Sequence, residues 1–190
     1  MNSTPQIRFE AYTPDTFDGV ITLGNKVHGD NYLDEAAAQN LYAASLKNNV
    51  NASLVAYLGN ELVGFRLTQA PNQWLIDEWC SPELWPVNTA ELCYFKCNTV
   101  DEKIRGTGVG SELLKRSIEQ VKLQGAKAGL AHIWLASPGN SAFKYFTKCG
   151  GKLVKEHPNR WQPWYESHGY ICPVCGQHCT CTAAEMMIEF

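Results

Sequence analysis

The sequence predicts a mixed α/β (α+β) domain, a largely antiparallel sheet flanked by helices, with a cysteine-rich insertion before the last strand. Three observations predict it. Ser53 to Leu58 and Leu62 to Leu67 are apolar-rich runs joined through Gly59-Asn60, which reads as a β-hairpin and requires antiparallel pairing. Glu91 to Val100, a glycine-rich turn, an amphipathic helix and Leu130 to Ala136 then read as strand, helix and strand, which makes the sheet mixed. Finally, Cys172, Cys175, Cys179 and Cys181 fall within ten residues that interrupt a terminal strand pair.

The elements follow in order. Gln6 to Tyr12 alternates Ile7, Phe9 and Ala11 against polar neighbours and predicts an opening strand. Thr16 to Val27 and Leu33 to Leu46 read as helices, the second alanine-rich with Asp34 as its cap. After the hairpin, Ala70 to Thr89 is a long excursion rich in Pro, Trp and acidic residues, with a short strand expected around Trp74 to Trp79. Val109, Leu113, Leu114, Ile118 and Val121 form an apolar stripe at helical spacing between about Gly108 and Gln124. Ser141 to Cys149 reads as a short amphipathic helix ended by Gly150-Gly151, Lys152 to Lys155 as a strand, and Ala183 to Phe190 as a returning strand beside it.

At 190 residues and 21.2 kDa the chain fits a single domain over 1–190, with residues 156–182 as an insertion within it. A net charge of −3 and no concentrated Lys/Arg stripe argue against nucleic acid as a partner. The acidic balance is compatible with a cationic acceptor. No apolar run approaches the ~18 residues of a membrane span, and no basic-then-apolar leader opens the chain, so no membrane partner and a cytoplasmic address are expected.

The chemistry concentrates at Arg105-Gly106-Thr107-Gly108-Val109-Gly110, between a strand and a helix start. Successive backbone N–H groups there can converge on an anion, and the helix dipole adds positive potential. A nucleotide-hydrolase loop is excluded because no Gly-Lys-Ser/Thr is present, and a dinucleotide fingerprint fails at Ser111. The turn, with Val100 five residues before Arg105, resembles the Gln/Arg-x-x-Gly-x-Gly/Ala signature of the GCN5-related N-acetyltransferase (GNAT) superfamily. Asn140 through Gly150-Gly151 resembles that family's second segment, and the likeness runs from Gln6 to about Val154 plus the final strand.

The resemblance implies an acetyl-CoA-dependent enzyme that moves an acetyl group to a primary amine by direct attack. It implies that Arg105 to Gly110 hold the CoA pyrophosphate, that the main chain of Asn98, Thr99 and Val100 meets pantetheine and the thioester, and that Asn140 lines the same channel. Asn140 can equally serve as a helix cap. The family's frequent acid, a Tyr, maps to Phe146, which is placed among the cofactor contacts, while the adjacent Tyr145 is the candidate acid. One residue along a helix rotates a side chain by about 100°, so the two positions are not equivalent.

An alkyl ammonium must lose a proton before attack, and Asp77, Glu78 and Glu91 are the candidate bases, with Glu78 and Glu91 favoured. Trp74, Trp79 and Trp85 on one excursion and Trp161, Trp164 and Tyr165 on the other would form an aromatic pocket for an amine-bearing small molecule or a protein amine. The same aromatics can instead cover a long loop. His28 reads as a surface or capping residue and His132 as a sheet residue. Cys172, Cys175, Cys179 and Cys181 can complete a tetrahedral sulfur site for one structural zinc, with a disulfide or packed free thiols as the alternatives. A nonenzymatic acyl-CoA sensor on the same fold is the competing functional reading.

Overall fold

The computed structural model describes residues 6–190. Seven strands form one sheet: β1 (Ile7–Ala11), β4 (Leu54–Leu58), β5 (Glu61–Gln69), β6 (Leu92–Val100), β7 (Ala128–Trp134), β8 (Lys152–His157) and β9 (Ala183–Glu189), with β2 (Leu46–Lys47) and β3 (Val50–Asn51) as a small separate pair. The spatial order is β1-β4-β5-β6-β7-β9-β8, and every pairing is antiparallel except β6 with β7. The final strand therefore slots between β7 and β8, so the chain end closes the sheet.

Helices α1 (Phe17–His28) and α2 (Glu35–Ser45) cover one face, where Tyr12, Val20, Leu23, Phe65 and Leu67 are buried. On the other face α3 (Val109–Leu123) and α4 (Ser141–Lys148) bury Phe95, Leu114, Val121, Phe146 and Met186. The apolar stripe read from the sequence is the inward face of α3. Asp34 caps α2 as its side chain accepts from the Ala37 N–H at 2.7 Å.

One predicted element is absent. Residues 74–79 form turns, because Trp74 donates its indole N–H to Leu92 O and stacks on Tyr94 instead of pairing edge to edge. The excursion folds as short 3-10 turns at Pro82–Leu84 and Thr89–Glu91. The insertion between β8 and β9 contains a five-residue helix, α5 (Trp164–His168), that the sequence did not signal. No described helix is long and apolar enough to cross a membrane.

Candidate active site

β6 and β7 run in register only from Leu92 opposite Ala128 to Tyr94 opposite Leu130, and then part. The parting begins at a bulge: Leu67 of β5 faces Cys97, Thr68 faces Phe95, and Lys96 is the extra residue. Farther along, the Asp101 N–H bonds to Val63 O at 2.8 Å. Alternation in an antiparallel ladder then turns the main-chain groups of Val100 and Asn98 away from β5, toward the edge that β7 has left. Asn98 and Val100 thus present backbone polar groups to a V-shaped opening. Thr99 does not: it pairs with Phe65 and its hydroxyl lies 2.7 Å from His28 Nε2.

The glycine-rich turn lies at the far end of this opening. Gly108 stands at the head of α3 with φ 90°, and Gly106 has φ 78°. A Cβ at either position meets nothing within 4 Å, so packing does not demand these glycines but the backbone does. The first helical bond is Glu112 N–H to Gly108 O, which leaves the N–H groups of the first turn open to a ligand. Arg105 folds back, donating from Nε to Val100 O at 3.1 Å, and thereby ties the turn to the strand. Gly110 lets the helix approach β6 closely, since a Cβ there would lie 3.3 Å from Asn98 Nδ2.

Two amide oxygens in this region, Asn98 Oδ1 and Asn140 Oδ1, are buried without a partner. Asn140 adopts a left-handed conformation at the head of α4 and makes no capping bond; the Ser137 hydroxyl accepts from the Ala142 N–H instead. The capping role is therefore taken by another residue. Tyr145 and Phe146 point in different directions, about 100° apart around α4. Phe146 is fully buried against Phe95 and Gly151, so its side chain is core and cannot contact a cofactor. Tyr145 reaches the turn, donating to Gly110 O at 2.7 Å and accepting from Arg66 Nη2 at 3.3 Å. Burial raises its pKa and the Arg66 guanidinium opposes that rise.

At the apex of the opening, on the α2 side, is a cavity of about 200 Å³ lined by Leu41, Gln69, Trp74, Leu75, Asp77, Cys80, Tyr94, Lys96, His132 and Arg160. The two excursions meet here, although of the six aromatics named from the sequence only Trp74 lines the cavity. Arg160 lies 3.6 Å from Asp77 and packs over Trp79 and Trp164, and Lys96 Nζ sits 4.8 Å from the centre of the Trp164 ring. Trp74 stacks on Tyr94 at 5.1 Å.

The favoured acids are elsewhere. Glu91 precedes the closed end of the β6–β7 pair, where it forms an ion pair with Lys127, and Glu78 is exposed and outside the cavity lining. Asp77, one residue away, faces the cavity because its carboxylate accepts from the Trp79 N–H at 2.9 Å and turns inward.

Sequence reasoning missed the network behind this wall. His132 Nε2 lies 2.5 Å from Trp79 O, an acceptor only, so Nε2 carries the proton and Nδ1 accepts from the Tyr94 hydroxyl at 2.8 Å. Burial, with Arg160 adding, lowers the His132 pKa to about 4, so the ring is neutral. Beneath it Glu185 is fully buried and accepts from Ser81 N–H, the Trp85 indole and His157. Burial opposes its charge, yet these hydrogen bonds outweigh burial and hold its pKa below the ordinary carboxylate range. The atoms of His132, His157 and Glu185 come within 4.8 Å of one another, but the bonds just described occupy them. No sequence spacing connects these residues, since they come from β7, β8 and β9.

His28 also acquires a specific place. It stacks on Tyr32 at 4.5 Å and lies 3.6 Å from Cys97. Burial alone would raise the Cys97 pKa, but His28, Thr99 and Tyr32 draw it down to about 7.

The cysteine cluster is compact. All four Sγ atoms of Cys172, Cys175, Cys179 and Cys181 lie within 4.8 Å of one another, with Cys172–Cys181 at 3.9 Å and Cys175–Cys181 at 3.4 Å. Ligands about 2.3 Å from a tetrahedral zinc stand roughly 3.8 Å apart, whereas a disulfide needs about 2.05 Å. Cys172 and Gly176 exchange backbone bonds at 3.0 and 2.9 Å, and the Cys175 N–H points at Cys172 Sγ, which is a turn that aims two sulfurs at one point. The donor set and its spacing fit zinc. The insertion also braces the α1–α2 connection, through Tyr170 to His28 O at 3.0 Å, Ile171 N–H to Asp30 O and Asn31 to Gly169 O.

The family model described as "Acetyltransferase (GNAT) family" matches residues 16–150. No curated protein matches the chain. Among solved structures it is similar to Ard1 from Thermoplasma volcanium (TM-score 0.68, 14% identity, 96% of this chain and 97% of that one). It is also similar to the ribosomal-protein-S18-alanine N-acetyltransferase from Escherichia coli (0.68, 11%, 97% and 94%). A third is Arabidopsis thaliana Naa50 in complex with the bisubstrate analogue CoA-Ac-MVNAL (0.63, 16%, 97% and 99%). At these identities the likeness establishes the fold.

Proposed function

The chain belongs to the acetyltransferase (GNAT) family, and from that premise we propose that it transfers an acetyl group from acetyl-CoA to a primary amine by direct attack. The observation that carries this reading is the pairing of an open glycine turn at the head of α3 with an unpaired β6 edge, beside which Asn98 keeps its amide Oδ1 buried and unpartnered, as Asn140 does at the head of α4. Acetyl-CoA supplies an activated thioester. The N–H groups of Gly106 and of Gly108 to Gly110 bind its pyrophosphate, Val109 contributing main chain only, while the Thr107 N–H is turned back to Ile104 O. Val100 and Asn98 offer main-chain partners to the pantetheine arm. Four residues of strand separate Val100 from Lys96, about 13 Å, which brings the reacting end of the groove to the cavity.

There the amine nitrogen forms its bond to the acetyl carbon as the carbon–sulfur bond breaks. Asp77, directly or through water, receives the ammonium proton, the role first given to Glu78 and Glu91. Tyr145 is held at the turn end of the groove, its proton bonded to Gly110 O and its oxygen accepting from Arg66, so it braces the turn, and the sulfur at the cavity end leaves as a thiolate, as a thiol pKa of about 8.5 permits. The cysteine cluster supports one structural zinc, whose role is to fold the insertion against the cavity wall.

Calorimetry with acetyl-CoA tests the reading, followed by thiol release over a panel of amines. Micromolar binding with amine-dependent release is expected. No binding by folded protein refutes it, and binding without turnover on any amine points to a sensor.

A further inference from the structure

The cavity is ringed by three charged side chains, Asp77, Lys96 and Arg160, and their charges do not balance. Asp77 is the one carboxylate in the lining, and its ion pair with Arg160 spans 3.6 Å. Glu185 lies behind the wall, but it is fully buried and spends both oxygens on Ser81, Trp85 and His157. Arg160 is only 8% exposed, and its Nε has no hydrogen-bond partner. Lys96 forms no ion pair among the described residues and has the Trp164 ring as its neighbour. Two cations are thus packed against the same indole, 4.8 Å and 5.9 Å from its centre, with donor positions unfilled.

Buried donors without acceptors are costly, and two like charges held near one ring repel, so the arrangement is complete only when an anion enters. The planar guanidinium matches a carboxylate in shape, and an ammonium beside it adds charge. Trp74 and Tyr94, stacked on the same cavity, supply a flat apolar surface for the rest of a small molecule. At about 200 Å³ the space is below the roughly 300–1,000 Å³ of drug-sized sites.

We propose that the acceptor is a small amine that also bears a carboxylate, which Arg160 and Lys96 bind while its amine turns toward Asp77 and the opening. The proposal rests on the N-acetyltransferase reading above. In its support, burial and Arg160 together bring the Lys96 pKa down to about 8, a strain that a carboxylate between the two cations relieves.

The test is a panel of the common α-amino acids, their carboxamides and spermidine, followed by CoA thiol release. At least one free acid should exceed its own carboxamide by more than tenfold in kcat/KM. Arg160→Gln should raise the KM for that acid tenfold to a hundredfold, erase the preference over the carboxamide, and leave the KM for acetyl-CoA unchanged. Arg160→Lys should retain part of the preference. Should Arg160→Gln fail to fold, Lys96→Gln reads the same preference from the other cation. Carboxamides or spermidine acetylated as well as every free acid, a preference that persists in both Gln variants, or no acetylation of any free acid overturns the proposal. Acetylation of the carboxamides or spermidine alone leaves the acetyltransferase reading standing, whereas absence of acetyl-CoA binding removes that reading itself.

Discussion

Gly108→Ala and Gly125→Ala form a matched pair that separates binding from backbone strain. The two glycines stand at opposite ends of α3 with φ of 90° and 92°, and a Cβ at either meets nothing within 4 Å. Neither methyl clashes, so each substitution carries only the left-handed penalty of about 1–2 kcal/mol. For a chain of this size that is a fall of about 2–4 °C in Tm per kcal/mol, or roughly 2–8 °C for each variant. Only at Gly108 does the added methyl stand over N–H groups that are to meet a pyrophosphate. Gly108→Ala should therefore weaken acetyl-CoA by tenfold or more, about 1.4 kcal/mol, while Gly125→Ala binds as wild type. Thermal melts and calorimetry on both variants give the comparison. Equal affinity in the two, at similar loss of Tm, would show that the turn shapes a helix end and holds no cofactor.

Tyr145→Phe removes the hydroxyl that Gly110 O and Arg66 share at the turn; kcat should fall less than about threefold, and a fall of about 10²-fold or more with the KM for acetyl-CoA unchanged would make Tyr145 the acid after all. The depressed pKa of Glu185 means that its stabilisation is present above the ordinary carboxylate pKa and lost as pH falls through the folded-state value. Glu185→Gln should thus cost about 3 kcal/mol in urea unfolding at neutral pH, and its gap to wild type should close as pH falls below the ordinary carboxylate range; a gap independent of pH contradicts the buried carboxylate. Native mass spectrometry should find one zinc per chain, and its removal by chelator should lower Tm and raise the acceptor KM through loss of the Arg160 wall, with acetyl-CoA affinity retained. A metal-free protein of unaltered Tm refutes the site.

The glycine-rich turn was legible because it is local. Arg105, Gly108 and Gly110 lie on one turn between a strand and the helix they start, so spacing, positive-φ demand and helix polarity are all written in consecutive residues. The cysteine cluster was legible for the same reason, since four sulfurs within ten residues cannot be far apart. Phe146 and Tyr145 show where local reading stops: which of two adjacent residues faces the turn depended on how α4 sits on Phe95 and Gly151.

The acceptor side is assembled from distant chain and was not legible. Asp77 rather than Glu78 or Glu91 faces the cavity because the predicted strand at 74–79 yields to Trp74 stacking on Tyr94. The net charge of −3 was compatible with a cationic acceptor, whereas Lys96 from a β-bulge and Arg160 from the insertion give the cavity a net positive lining. The sequence by itself determined most of the elements, the mixed sheet and the glycine-rich turn at the head of α3, since those follow from periodicity and short-range geometry. Only the tertiary structure decided the charge of the cavity and the Tyr94–His132 and His157–Glu185 pairs behind it, because electrostatics depends on distances between residues that chain order does not bring together.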